Sequence, residues 1–90
     1  MPPRSLAEQF LDENKETDND GHSFLVVYDF HGEPPSSRFY TNLEKLKDPE
    51  SQLIQYSVFY TNNHATANAV KQLATHYGAE ALVFTAEPLQ

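Results

Sequence analysis

The sequence predicts a small α+β domain whose helices cover one face of a β-sheet. Three patterns support this prediction: an apolar run over residues 23–30, two stretches with apolar residues at helical spacing, and two further stretches rich in β-branched and aromatic residues. The predicted order is βαβαβ, or βαββαβ if the middle strand is divided.

The first strand is predicted over residues 23–30. It is apolar on both faces, which is typical of a central strand. Its one carboxylate, Asp29, lies where the run meets a Gly/Pro loop at residues 31–35. Because an unpaired buried charge is costly, Asp29 indicates either a functional site, a cap on the loop amides, or an ion pair with Arg38.

The first helix of the domain is predicted to begin after Ser36 and to end before Asp48 and Pro49. Its apolar positions recur at helical spacing, at Phe39, Tyr40, Leu43 and Leu46. Arg38 falls in the first turn, where a cation opposes the helix dipole.

The middle stretch, residues 52–61, alternates with period two but is long for one strand. A bend or bulge at residues 55–57 would divide it into two, and periodicity leaves both alternatives open. The next helix is predicted to have Asn62 or Asn63 as its cap and Gly78 as its stop, and the last strand is predicted over residues 81–86.

Residues 1–22 are predicted to form a short helix capped by Ser5 and then a flexible acidic arm, because residues 12–21 are almost purely polar. Residues 23–90 are predicted to form the folded domain.

The amino-acid composition argues against several classes of function. The chain has 90 residues, no cysteine and a formal net charge of -7. It therefore contains neither disulfides nor thiolate metal sites, and it lacks the Lys/Arg excess that usually marks a nucleic-acid-binding surface. With no membrane-spanning run and no signal-peptide pattern, a cytoplasmic location is expected.

The sequence resembles a known family in four successive features. These are residues 26–30 (Val-Val-Tyr-Asp-Phe), a polar loop, a helix with Arg38 in its first turn, and residues 54–59 (Ile-Gln-Tyr-Ser-Val-Phe). It is similar to the small CRISPR-associated adaptation protein, the non-integrase subunit of the spacer-acquisition complex, often described as an endoribonuclease. The related virulence-associated D ribonucleases share the aromatic-Asp strand end.

This resemblance implies a ferredoxin-like βαββαβ sandwich with helices on one face of a mainly antiparallel sheet. It also implies a homodimer with sheets packed face to face and a divalent metal, Mg²⁺ or Mn²⁺, between the two copies of Asp29. In such proteins the metal activates water for phosphodiester hydrolysis. The implied partners are RNA or DNA and an integrase-type protein.

Four residues are the candidates for this site. Asp29 is the candidate catalytic group and metal ligand, and His31 is the histidine best placed to assist it as a general base. Arg38 and Ser57 are candidate nucleic-acid contacts, although a surface position for Arg38 and a bend-forming role for mid-strand Ser57 are the simpler interpretations. Tyr28 is interpreted as a core or interface aromatic with its hydroxyl at the wet edge.

Two functions are therefore predicted. The first is a homodimeric, CRISPR-adaptation-like nucleic-acid-binding protein with metal-dependent endonuclease activity as its candidate chemistry. The alternative is a non-catalytic ferredoxin-like dimer that serves as a protein-interaction module with an acidic arm.

Overall fold

The computed structural model describes residues 4–15, 22–47, 51–55 and 57–86. Within these ranges the chain forms three helices and four strands. In chain order they are α1 (Leu6–Glu13), β1 (Ser23–Asp29), α2 (Ser37–Leu46), β2 (Gln52–Gln55), β3 (Val58–Thr61), α3 (His64–His76) and β4 (Glu80–Ala86).

The four strands form one antiparallel sheet in the order β2-β3-β1-β4. β1 lies between β3 and β4, which confirms the central position that its two apolar faces predicted. The middle stretch forms two strands, so the divided alternative is the one observed. The register between β2 and β3 shifts between Leu53 and Gln55, and Tyr56 lies outside the described residues.

Each helix begins at a polar cap that the sequence contains. The side chains of Ser5, Ser36 and Asn63 accept backbone N–H groups three residues ahead, which satisfies donors that the first turn leaves free. Asn63, not Asn62, is thus the cap of α3. Gly78, at φ 96°, follows the end of α3 in the left-handed conformation that favours glycine.

The core lies between the sheet and the helices. Phe24, Val26 and Tyr28 of β1 are each at most 2% exposed and face the helices. The other buried apolar residues come chiefly from the helices and β3: Phe39, Leu43, Leu46, Phe59, Ala67, Ala69, Val70, Leu73 and Ala74. The described helices therefore cover one face of the sheet, as predicted.

The helix predicted near the N-terminus is present and packs against α2 and α3. Ala7 is 2% exposed, and its backbone N–H donates to Asn42 Oδ1 at 3.0 Å. Gln72 Nε2 of α3 donates to Glu13 Oε2 at 2.9 Å. α1 is thus part of the helical layer. Residues 16–21 of the predicted arm lie outside the described residues, so the arm and the domain boundary after residue 22 stay predictions.

The longest described helix, α3, has 13 residues. None of the helices in the described ranges has both the length and the apolar character that crossing a bilayer requires.

Candidate functional site

Asp29 lies at the last position of β1, on the face of the sheet opposite the helices, which we call the open face. Its side chain is 71% exposed. Alternate residues of a strand point to opposite faces, so Asp29 shares the open face with Leu25 and Val27, as predicted. The expectation of a buried carboxylate is wrong, because this face is uncovered at its Asp29 end.

The Asp29 carboxylate caps the loop that follows β1. Its Oδ1 atom accepts the backbone N–H of His31 at 2.8 Å. His31 has φ 58°, a left-handed conformation that is uncommon for a residue with a side chain. This hydrogen bond matches the capping interpretation of Asp29 and helps to hold the loop in its turn.

A second carboxylate, Glu80, faces Asp29 across the β1–β4 pair. His31 lies beside both: Nε2 is 3.3 Å from Glu80 Oε1, and Nδ1 is 3.8 Å from Asp29 Oδ2. These three residues, each at least 54% exposed, form what we call the Asp29 cluster. Like charges directly opposite on a sheet repel, so the facing of Asp29 and Glu80 does not by itself stabilise the sheet.

Glu80 is a residue that sequence reasoning missed. The predicted strand began one residue later, and only the pairing register brings Glu80 beside Asp29. Across the described ranges, no group of three or more His, Asp or Glu side chains is arranged to hold a metal ion. In the Asp29 cluster, each ring nitrogen of His31 lies near one carboxylate oxygen, either of Asp29 or of Glu80.

The structure places Arg38 and Ser57 differently with respect to Asp29. Arg38 is exposed in the first turn of α2, and among the described residues it forms no ion pair with Asp29. Ser57 lies in the turn between β2 and β3, so its mid-strand placement is wrong and its bend-forming interpretation fits. Its carbonyl accepts the Tyr28 N–H at 3.0 Å, which places Ser57 at the same end of the sheet as Asp29.

The basic side chains lie away from the open face. Arg4 and Lys15 pair with Asp12 at 3.4 and 3.7 Å, and Lys47 pairs with Glu44 at 3.0 Å. The other three, Arg38, Lys45 and Lys71, lie on α2 and α3, which pack on the opposite side of the sheet. The face that carries Asp29 is therefore acidic at its Asp29 end.

Tyr28 has a buried hydroxyl. The residue is 2% exposed, and its hydroxyl has no hydrogen-bond partner within the described structure. Burial, with a smaller contribution from Tyr40, raises the pKa of Tyr28 to about 12. The expectation that this hydroxyl lies at the wet edge is wrong, because Tyr28 faces the helices and its ring packs against Phe30 and Phe39.

The open face carries a contiguous set of apolar side chains in two cross-strand rows, which we call the apolar band. One row joins Phe84, Leu25 and Tyr60, and the other joins Leu82, Val27 and Val58. Leu82 is 61% exposed, Phe84 49% and Val27 37%. Sequence reasoning missed Leu82 and Phe84 as surface residues, although their period-two spacing places both on one face.

A shallow cleft of about 520 Å³ connects the apolar band to the Asp29 cluster. It is lined by Val27 and Leu82 of the band, by Asp29 and Glu80, and by Thr75 near the end of α3. Carboxylates thus border this apolar surface, whereas phosphate groups are usually contacted by Lys and Arg side chains.

A scan against protein-family models, a search of curated proteins and a search of solved structures each found no match to this chain.

Proposed function

We propose that the protein is a non-catalytic, homodimeric interaction module with a ferredoxin-like βαββαβ fold, and that its apolar band packs against the band of a second copy. The observation that carries this proposal is the band itself: six neighbouring apolar or aromatic side chains in register on a face that the described helices leave uncovered. Contiguous apolar patches of this kind usually mark interaction sites.

The ferredoxin-like assignment is supported by connectivity. From β1 to β4 the elements run strand, helix, strand, strand, helix, strand. α2 connects β1 to β2, which have β3 between them in the sheet, and α3 connects β3 to β4, which have β1 between them. This connectivity supports a split βαβ arrangement. α1 is an addition to it on the helical side.

Face-to-face packing against a second copy removes the apolar band from water. Two sheets packed about 10 Å apart interdigitate the side chains of their inner faces. At roughly 25 cal/mol per Å² of apolar surface, covering Leu82, Phe84 and Val27 contributes on the order of 1 kcal/mol for each side chain. The small size of the domain makes such a gain important, because a short chain buries a modest share of its surface alone.

Sedimentation analysis of three proteins tests the proposal: wild type, Val27→Lys and Leu11→Lys. Val27 and Leu11 are both 37% exposed, but Leu11 lies on α1, so Leu11→Lys is a matched control. We expect Val27→Lys to weaken self-association at least tenfold and Leu11→Lys to leave it unchanged. A wild-type protein that stays monomeric at every concentration, or equal effects of the two variants, would overturn the proposal.

A second candidate function is metal-dependent phosphodiester hydrolysis at the Asp29 cluster, in a homodimer that binds RNA or DNA and an integrase-type partner. The observation that favours it is the pairing of two exposed carboxylates, Asp29 and Glu80, beside the His31 imidazole. Mg²⁺ in proteins is often held by one or two carboxylates and several waters, and Mn²⁺ takes similar ligands. Arg38 and Ser57 would then contact the nucleic acid.

Cleavage of labelled single- and double-stranded RNA and DNA, with Mg²⁺ or Mn²⁺ and with EDTA, tests this candidate. Asp29→Asn is the informative variant, because an amide oxygen can still accept the His31 N–H and preserve the turn. Hydrolysis predicts metal-dependent cleavage that Asp29→Asn reduces by two orders of magnitude or more. Equal cleavage by wild type and Asp29→Asn, or none by either, would exclude it.

A further inference from the structure

We propose that the free edge of β4 is a strand-addition site, at which the β4 strand of a second copy pairs antiparallel and extends the sheet. This contact uses the edge of the sheet, whereas the proposed dimer uses the open face. The two therefore rest on different observations.

The two edges of the sheet are unequal. β2 has four residues, and its pairing with β3 is interrupted by a register shift between Leu53 and Gln55. Such irregularities protect an edge from further pairing. β4 has seven residues, all in unbroken register with β1, and among the described elements it contacts β1 and α3 alone. Its outer edge is thus regular, and no other described element covers it.

The sequence of β4 also lacks the residues that usually protect an edge strand from pairing with another strand. Natural edge strands are commonly protected by lysine, proline or bulges, and residues 80–86 contain none of these. The single charge, Glu80, lies at the end of the strand, and His31 Nε2 approaches its carboxylate at 3.3 Å on the β1 side. A long, apolar and unprotected edge strand pairs readily with another strand.

The sequence of β4 favours a second β4 as the added strand. In an antiparallel pair centred on Val83, directly opposite residues share a face, so the large apolar residues meet each other. The facing pairs are Leu82 with Phe84, Ala81 with Thr85, and Glu80 with Ala86. This register keeps the two Glu80 carboxylates apart, which matters in a chain of net charge -7.

The symmetry of this contact suits the proposed face-to-face dimer. Pairing centred on Val83 requires a two-fold axis normal to the sheet, so the apolar bands of the two copies join into one. The axis of a face-to-face dimer lies parallel to the sheet. If the two axes intersect at right angles, the assembly closes at four copies with dihedral symmetry.

Cysteine cross-linking tests the edge contact, because the chain contains no cysteine of its own. In the proposed register, the two copies of Val83 have Cα atoms about 4.5–5.5 Å apart, within the range that a disulfide spans. The two copies of Thr85 lie about 13 Å apart along the strands. We therefore expect Val83→Cys to form a covalent dimer under mild oxidation and Thr85→Cys alone to form none.

Mixing Ala81→Cys with Thr85→Cys gives a second readout that leaves Val83 in place, and this mixture should form the cross-linked heterodimer. Repeating the Val83→Cys experiment in a Val27→Lys background separates the two contacts, since the edge disulfide should persist when the face contact is lost. Absence of cross-linking in both the Val83→Cys protein and the mixture, or equal self-linking of Val83→Cys and Thr85→Cys, would overturn the edge proposal. Either result leaves the face proposal to its own test.

Discussion

Two tyrosines of the same sheet differ in what their hydroxyls contact. Tyr60 donates its hydroxyl hydrogen to Ser23 Oγ at 2.9 Å, whereas the buried Tyr28 hydroxyl has no partner within the described structure. A buried polar group without a partner loses its bonds to water and gains none in return. The Tyr28 ring stabilises the core, and its hydroxyl weakens that contribution.

Replacing each tyrosine by phenylalanine separates these effects. We expect Tyr28→Phe to leave the free energy of unfolding unchanged or to raise it by about 1 kcal/mol, and Tyr60→Phe to lower it by about 0.5–1.5 kcal/mol. Urea unfolding at neutral pH measures both. A larger loss in Tyr28→Phe than in Tyr60→Phe would show that the Tyr28 hydroxyl does have a partner.

Alkaline pH gives a second test of Tyr28. Burial raises the pKa of Tyr28 from 10.0 to about 12, so folding favours the protonated phenol. The associated stability is fully present below pH 10 and is lost as the pH rises through about 12. We expect wild type to lose up to about 2 kcal/mol relative to Tyr28→Phe across this interval, measured by urea unfolding at successive pH values. A constant difference between the two proteins would contradict the burial of the hydroxyl.

At the residue scale, sequence patterns located Asp29 but not its surroundings. Its position at a strand end and its face follow from period-two alternation. Its exposure depends on which face of the sheet the helices cover, and its neighbour Glu80 depends on pairing between strands far apart in sequence. Neither property is encoded in local spacing.

At the element scale, local chemistry predicted most of the secondary structure. Ser5, Ser36 and Asn63 each carry a side-chain acceptor at the residue before a helix, and all three act as caps. The packing of α1 was not predictable, because it depends on matched side chains such as Asn42 and Gln72 in helices far along the chain. The division of the middle stretch became clear through the register shift between β2 and β3.

The packing of α1 predicts the effect of truncation. Removing residues 1–15 takes away buried Ala7 and the side chains of Leu6 and Phe10 that pack against the core. We expect the free energy of unfolding to fall by roughly 2–4 kcal/mol, with removal of residues 1–3 as the control. Denaturant titration of both truncated proteins measures this loss, and equal stability of the two would show that α1 contributes little.

At the scale of the whole molecule, the sheet has one face covered by helices and one face that carries the apolar band and the Asp29 cluster. The net charge of -7 and the placement of Arg38, Lys45 and Lys71 on the helical side make the open face better suited to a protein surface than to a phosphate backbone. The central claim is that this face is where copies of the chain meet.

Amide NMR spectra of the wild-type protein over a dilution series test that claim most directly, because they locate the contact while leaving the chain unaltered. The account predicts concentration-dependent shifts in β1, β3 and β4, centred on Leu25, Val27 and Phe84, with α1 and α2 unaffected. Shifts confined to the helices, or unchanging spectra from a protein that sediments as a monomer, would contradict it.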